Sequence, residues 1–153
     1  MKTQRAGRTR FLAAGLALLL LAASPAAAEE LVVIVNAANP VGPLTAKEVK
    51  GYFLKKIPVW GNGEKVRPAD HSADGPDRAA FLSKVLGMSS DELQRYWLER
   101  QYANADHPPA GLEDDPSVVK FVSFFKGGIG FVTRSALSRA GAEGVKPILT
   151  IAF

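Results

Sequence analysis

The chain has 153 residues, no cysteine, and 19 Lys or Arg against 15 Asp or Glu. Without cysteine there are no disulfides and no thiolate metal sites. The formal net charge of +4 arises in the first ten residues, where Lys2, Arg5, Arg8 and Arg10 stand with no acid; the remainder holds 15 charges of each sign and lacks the basic footprint of a nucleic-acid binder.

After that basic start come the apolar run Phe11 to Ala23, then Ser24-Pro25 and Ala26-Ala27-Ala28 before Glu29-Glu30. This order is that of a secretory signal peptide with a small-residue cleavage site. The apolar run is shorter than the roughly 20 residues of a membrane span. We expect residues 1–28 to be a leader, residues 29–153 to be one periplasmic domain, and no membrane span after cleavage. A chain of that length buries about two-thirds of its unfolded surface, enough for one core.

Leu31-Val32-Val33-Ile34-Val35 is a continuous apolar run, β-branched from Val32 on, which predicts a central strand covered on both faces. Thr45-Ala46-Lys47-Glu48 is a capping box opening a helix with Val49, Tyr52 and Phe53 on its apolar side. Pro58 ends that region, and Asn62-Gly63 is a turn dipeptide. The corner between them should pack Phe53 and Trp60 inward. Lys65 to Asp70 reads as a second strand, irregular or at an edge because of Pro68.

His71 to Gly75 is a polar loop, and Pro76 suits the first helical position. Phe81, Leu82, Val85 and Leu86 share a face, and Gly87 ends the helix. Ser89-Ser90-Asp91-Glu92 opens another helix, expected to reach about Tyr102. Ala103 to Gly111 reads as a loop. Asp114-Asp115-Pro116 starts a helix whose acids complement its dipole, with Val118, Phe121, Val122 and Phe125 as the buried stripe. Gly127-Gly128 turns the chain into the strand Ile129 to Val132. A short helix over Ser135 to Arg139 and a last strand over Val145 to Ile151 follow. Alternating strands and helices predict an α/β fold with a mainly parallel sheet.

Neither histidine, His71 or His107, sits in a metal-ligand spacing, so no metal or other cofactor is expected. Ser72 beside His71 lacks the strained elbow of a hydrolase nucleophile, so no enzyme is expected. Gly127-Gly128-Ile129-Gly130 precedes a strand, the wrong order for a dinucleotide loop. The informative segment is His71-Ser72-Ala73-Asp74-Gly75-Pro76-Asp77-Arg78. It follows a strand and opens a helix, where free N–H groups and a partial positive charge suit an anion. Pro76 removes one donor, and Asp74 and Asp77 bring opposing charge. Arg78 either folds back to offset them or lies on the surface. The plainer alternative is that Asp74 or Asp77 simply caps the helix.

The segment Phe53-Leu54-Lys55-Lys56-Ile57-Pro58-Val59-Trp60-Gly61-Asn62-Gly63 resembles the "Phe-x-Gly-Lys-x-x-x-Trp-x-(Asp/Asn)-Gly" stretch of periplasmic phosphate-binding proteins of ABC transporters, with Lys55 in place of the glycine. Arg78-Ala79-Ala80-Phe81, Tyr96-Trp97 and Gly127-Gly128-Ile129-Gly130-Phe131-Val132 follow in the family's order. The last resembles "Pro-Gly-Ala-Ile-Gly-Tyr-Val". The resemblance implies a single lobe of the type II periplasmic-binding-protein fold, phosphate or a related oxyanion as ligand, and an ABC permease or periplasmic sensor as partner. The family's loop Arg-Ser-Asp-Gly-Ser-Gly-Thr aligns with His71 onward. His71, Ser72, Gly75, Asp77 and Arg78 are thereby the candidate ligand-binding residues, with His71 steering the anion or donating when protonated. The length suffices for about one lobe of a family that closes two lobes on its ligand. The alternative is an interaction or sensor-partner module that has lost the ligand site.

Overall fold

The computed structural model describes residues 28–153; the leader expected over residues 1–28 lies, Ala28 apart, outside them. The elements are β1 (Glu30–Asn36), α1 (Ala46–Phe53), β2 (Arg67–His71), α2 (Pro76–Phe81, continued by a π-helical turn over Leu82–Leu86), α3 (Ser90–Asn104), β3 (Ala110–Leu112), α4 (Asp115–Phe124), β4 (Gly128–Thr133), α5 (Arg134–Ala140) and β5 (Val145–Ala152). They form one five-stranded sheet in the order β3-β2-β4-β1-β5. β2 pairs in parallel with β3 and β4, whereas β1 is antiparallel to β4 and β5. Four strands therefore point one way and β1 opposes them, a mostly parallel sheet. No helix among the described residues is long and apolar enough to cross a membrane.

The alternation of β1 explains why its sequence is apolar throughout. Leu31, Val33 and Val35 join the core under α1, α2 and α3, while Val32 and Ile34 join a second core under α4 and α5. All five are fully buried, as expected for a strand covered on both faces. The predicted capping boxes form as read, Thr45 with Glu48 and Ser89 with Glu92. Gly87 ends the π-turn in the left-handed region, with φ 63°.

Three readings need correction. β2 is an inner strand between β3 and β4, not an edge. Pro68 is tolerated because the β2–β4 ladder is short, pairing Arg67 with Gly128 and Pro68 with Ile129. Part of the segment read as the Ala103–Gly111 loop contributes β3, whose three residues align with Ala69, Asp70 and His71; so short a strand has no periodicity to recognise. On α4 the buried residues are Val118, Val119 and Val122, while Phe121 and Phe125 are partly exposed.

The corner after α1 holds as expected. Phe53 and Trp60 are both buried. Trp60 stacks on Tyr52 at 4.2 Å between ring centroids and donates its Nε1–H to the Gly127 carbonyl at 3.0 Å. Lys55, standing where the resembling family has glycine, adopts φ 53°, a left-handed conformation that glycine takes without steric penalty. Its ammonium donates to the His107 carbonyl at 2.8 Å.

The glycine run at the start of β4 lets α4 approach the strand at Gly128 and Gly130 and lets the Lys65 backbone approach at Gly127. A Cβ on Gly130 would lie 2.6 Å from Val118 Cγ1, and one on Gly127 would lie 1.9 Å from the Lys65 carbonyl oxygen. Two outcomes are expected in chemical denaturation. Trp60→Ala should cost about 3–5 kcal/mol, as for other large core aromatics; a native Trp60 readily reached by an aqueous quencher would contradict its burial. Gly130→Val should cost about 1–3 kcal/mol or more by overpacking, and an unchanged midpoint would show that α4 can move off the strand.

Candidate functional site

β2 and β4 run in parallel, so their carboxyl ends lie side by side. Ligands of open α/β sheets bind at such an edge. His71 is the last residue of β2, and Thr133 the last of β4. α2 begins just after β2, and α4 lies across β4. A cleft opens there, lined among others by His71, Gly75, Asp77, Asp115, Lys120 and Arg139.

His71 is buried and its ring packs on Phe131, with 4.8 Å between centroids. Its Nε2 lies 3.1 Å from the Phe131 carbonyl oxygen, which can only accept, so the neutral ring carries its proton on Nε2. Nδ1 then holds the lone pair and faces Asp77 Oδ2 at 4.0 Å. Asp115 Oδ2 accepts from Thr133 N at 3.1 Å and Thr133 Oγ1 at 2.8 Å. Its other oxygen, Oδ1, lies 3.4 Å from His71 Nε2, yet is buried without a hydrogen-bond partner.

The start of α2 is open. Its N-cap is Gly75 in extended conformation, with no side-chain bond to the first-turn amides. Neither Asp74 nor Asp77 caps the helix, which corrects that alternative. α4 differs: Asp114 caps it by accepting from Ser117 N at 2.8 Å. Bonds from Ser117 hold the Asp114 carboxyl below its usual range, so it is ionised at neutral pH.

Arg78 does fold back, but onto protein carboxylates. Its Nε and Nη2 grip Asp70 at 3.1 and 2.9 Å, and Nη1 reaches Asp74 at 2.6 Å and Ser90 Oγ at 3.3 Å. Burial opposes its charge, but the bonds and charges of Asp70 and then Asp74 outweigh this and raise its pKa above the ordinary arginine value. Ser72 is also engaged: its N–H donates to the Leu112 carbonyl at 2.8 Å and its hydroxyl to the same oxygen at 3.2 Å, joining β2 to β3. The structure thus brings His71, Gly75 and Asp77 to one cleft and places Ser72 and Arg78 on a neighbouring groove between α3 and the β3 edge.

Asp115 is the residue that sequence reasoning missed as part of the site. It was legible only as a helix-start acid, because nothing local links position 115 to position 71. Asp74, Asp77, Glu113, Asp114 and Asp115 all line the cleft, so its potential disfavours a dianion unless cations or partner groups compensate.

No protein-family model matches the chain, and no curated protein matches it in sequence. Solved structures match it in fold. An ABC-type phosphate transport receptor from Vibrio cholerae aligns with a TM-score of 0.60 at 20% identity, covering 78% of this chain and 45% of that one. PstS from Borrelia burgdorferi aligns with a TM-score of 0.58 at 13% identity, covering 78% of this chain and 46% of that one. The chain spans less than half the length of these two proteins. At such identities the likeness is one of architecture: residues 28–153 have the fold of a single lobe of a phosphate-type substrate-binding protein of ABC transporters.

Proposed function

We propose that the chain is an exported, non-catalytic solute-binding lobe. Its ligand is phosphate or a related oxyanion, and it serves an ABC permease or a sensor in the periplasm. The observation that supports this best is the uncapped start of α2 at the carboxyl edge of β2, on a lobe with the phosphate-transport fold. First-turn amides there are free to donate to an anion. The cleft is open to solvent and acidic, so the second wall and the missing positive charge come from a partner or a second lobe. The isolated chain should therefore bind weakly.

The alternative, an interaction module without a small ligand, draws support from Arg78 and Ser72. Both are satisfied by other parts of the chain. Calorimetric titration of the purified chain with phosphate and with sulfate at low salt separates the readings. Millimolar binding is expected for the parent. Asp74→Asn removes one repelling charge and releases Arg78 Nη1, so it should tighten binding about fivefold, the worth of about 1 kcal/mol. If neither the parent nor Asp74→Asn binds either ion at millimolar concentration, the oxyanion reading fails and the module remains.

Export has its own test. The secreted protein should begin at Glu29, as read by intact mass and N-terminal sequencing. Recovery of the chain in membranes with Phe11 to Ala23 retained would reject cleavage.

A further inference from the structure

We propose that His71, Asp77 and Asp115 form a site for a divalent first-row transition-metal ion, of which Zn²⁺ is the probe. One nitrogen of His71 and one oxygen from each carboxylate lie within 4.8 Å of one another. Two ligands on one ion are separated by at most about 4.4 Å, twice a bond of about 2.2 Å. Small side-chain movements therefore suffice to close the set.

Three features of this cluster point to a cation. The His71 side chain is only 8% exposed, and with its Nε2–H given to the Phe131 carbonyl its Nδ1 is left as an acceptor 4.0 Å from Asp77 Oδ2. A cation between them would satisfy both acceptors at once. Asp115 Oδ1 is buried and makes no hydrogen bond: a neighbouring donor, His71 Nε2 at 3.4 Å, is given to the Phe131 carbonyl, and buried carboxylate oxygens are ordinarily bonded. The supporting bonds are those of a metal ligand set. The Phe131 carbonyl takes the proton of Nε2, and Thr133 fixes Asp115 through its other oxygen; ligating imidazoles and carboxylates are commonly oriented this way.

An imidazole with two carboxylates and no thiolate suits zinc or manganese better than magnesium, which prefers oxygen ligands alone. The cleft leaves further coordination positions open to water. The inference stands apart from the oxyanion reading, since it needs these three side chains and no anion. A dication there would also offset Asp77 and Asp115 and make the cleft less repellent to phosphate.

The test is calorimetric titration of the metal-stripped, untagged chain with Zn²⁺ in phosphate-free buffer. One ion per chain is expected. Asp77→Asn and Asp115→Asn should each weaken binding about tenfold or more, while Glu99→Gln, on exposed α3, should leave it unchanged. Asp115→Asn also loses part of the Thr133 clasp, so thermal unfolding accompanies it; Asp77 makes no such bond and carries the test if Asp115→Asn unfolds. The chain has two histidines, so side-chain ¹⁵N spectra give a second reading. Zn²⁺ should shift the His71 Nδ1 resonance and spare His107. No binding at submillimolar Zn²⁺ would overturn the proposal. Binding that survives both Asp variants, or a shift confined to His107, would overturn it as well.

Discussion

The close seating of α4 on β4 is the constraint from which the cleft follows. It depends on positions 128 and 130 having no side chain. A Cβ on Gly128 would sit 2.9 Å from Val122 Cα, and one on Gly130 would meet Val118. With those atoms absent, Val118 and Val122 reach Val32, Ile34 and Val132 and close the second core. The same approach carries the start of α4 to the end of β4, where Thr133 receives Asp115. His71 arrives there because β2 lies parallel to β4. A packing requirement in the sheet thereby becomes the position of a carboxylate beside an imidazole.

The other side of β1 is held by aromatic contacts. Phe81 and Phe131 stack with centroids 3.9 Å apart, Phe53 lies against both, and His71 rests on Phe131. The imidazole is thus the rim of an aromatic cluster as well as a member of the cleft. Its burial limits its motion, so Asp77 and Asp115 meet a ring of settled orientation. Preorganisation of this kind strengthens a binding site by lowering the cost of ordering it.

Charge separates this lobe from a ready-made anion receptor. Arg78 folds back toward the loop, yet Asp70 and Asp74 take its hydrogen-bonding edges. The neighbouring cleft is lined by carboxylates, with Lys120 and Arg139 also in its lining. Free amides at α2 attract an anion, and the acids around them repel it. In water the two effects are of similar size, about 1 kcal/mol per charge at 4 Å. A cation between His71 and Asp77, or basic groups on a facing surface, would tip that balance.

Local chemistry in the sequence determined most of the elements. The β-branched run made β1 a doubly covered strand, two capping boxes placed α1 and α3, Pro76 and Gly87 bracketed α2 with its π-turn, and the spacing of aromatics set the Phe53–Trp60 corner. These signals are legible because each depends on neighbours a few residues apart. β3 escaped because three residues held by Ser72 and its neighbours carry no pattern of their own, and the inner place of β2 was hidden by Pro68. The sequence also marked His71 to Arg78 as the place to look. Only the tertiary structure decided what those residues do: it spent Ser72 on β3 and Arg78 on Asp70, and it set Asp115, 44 positions from His71, beside the ring. Long-range pairing depends on how helices seat on the sheet, and that is settled by the whole core at once.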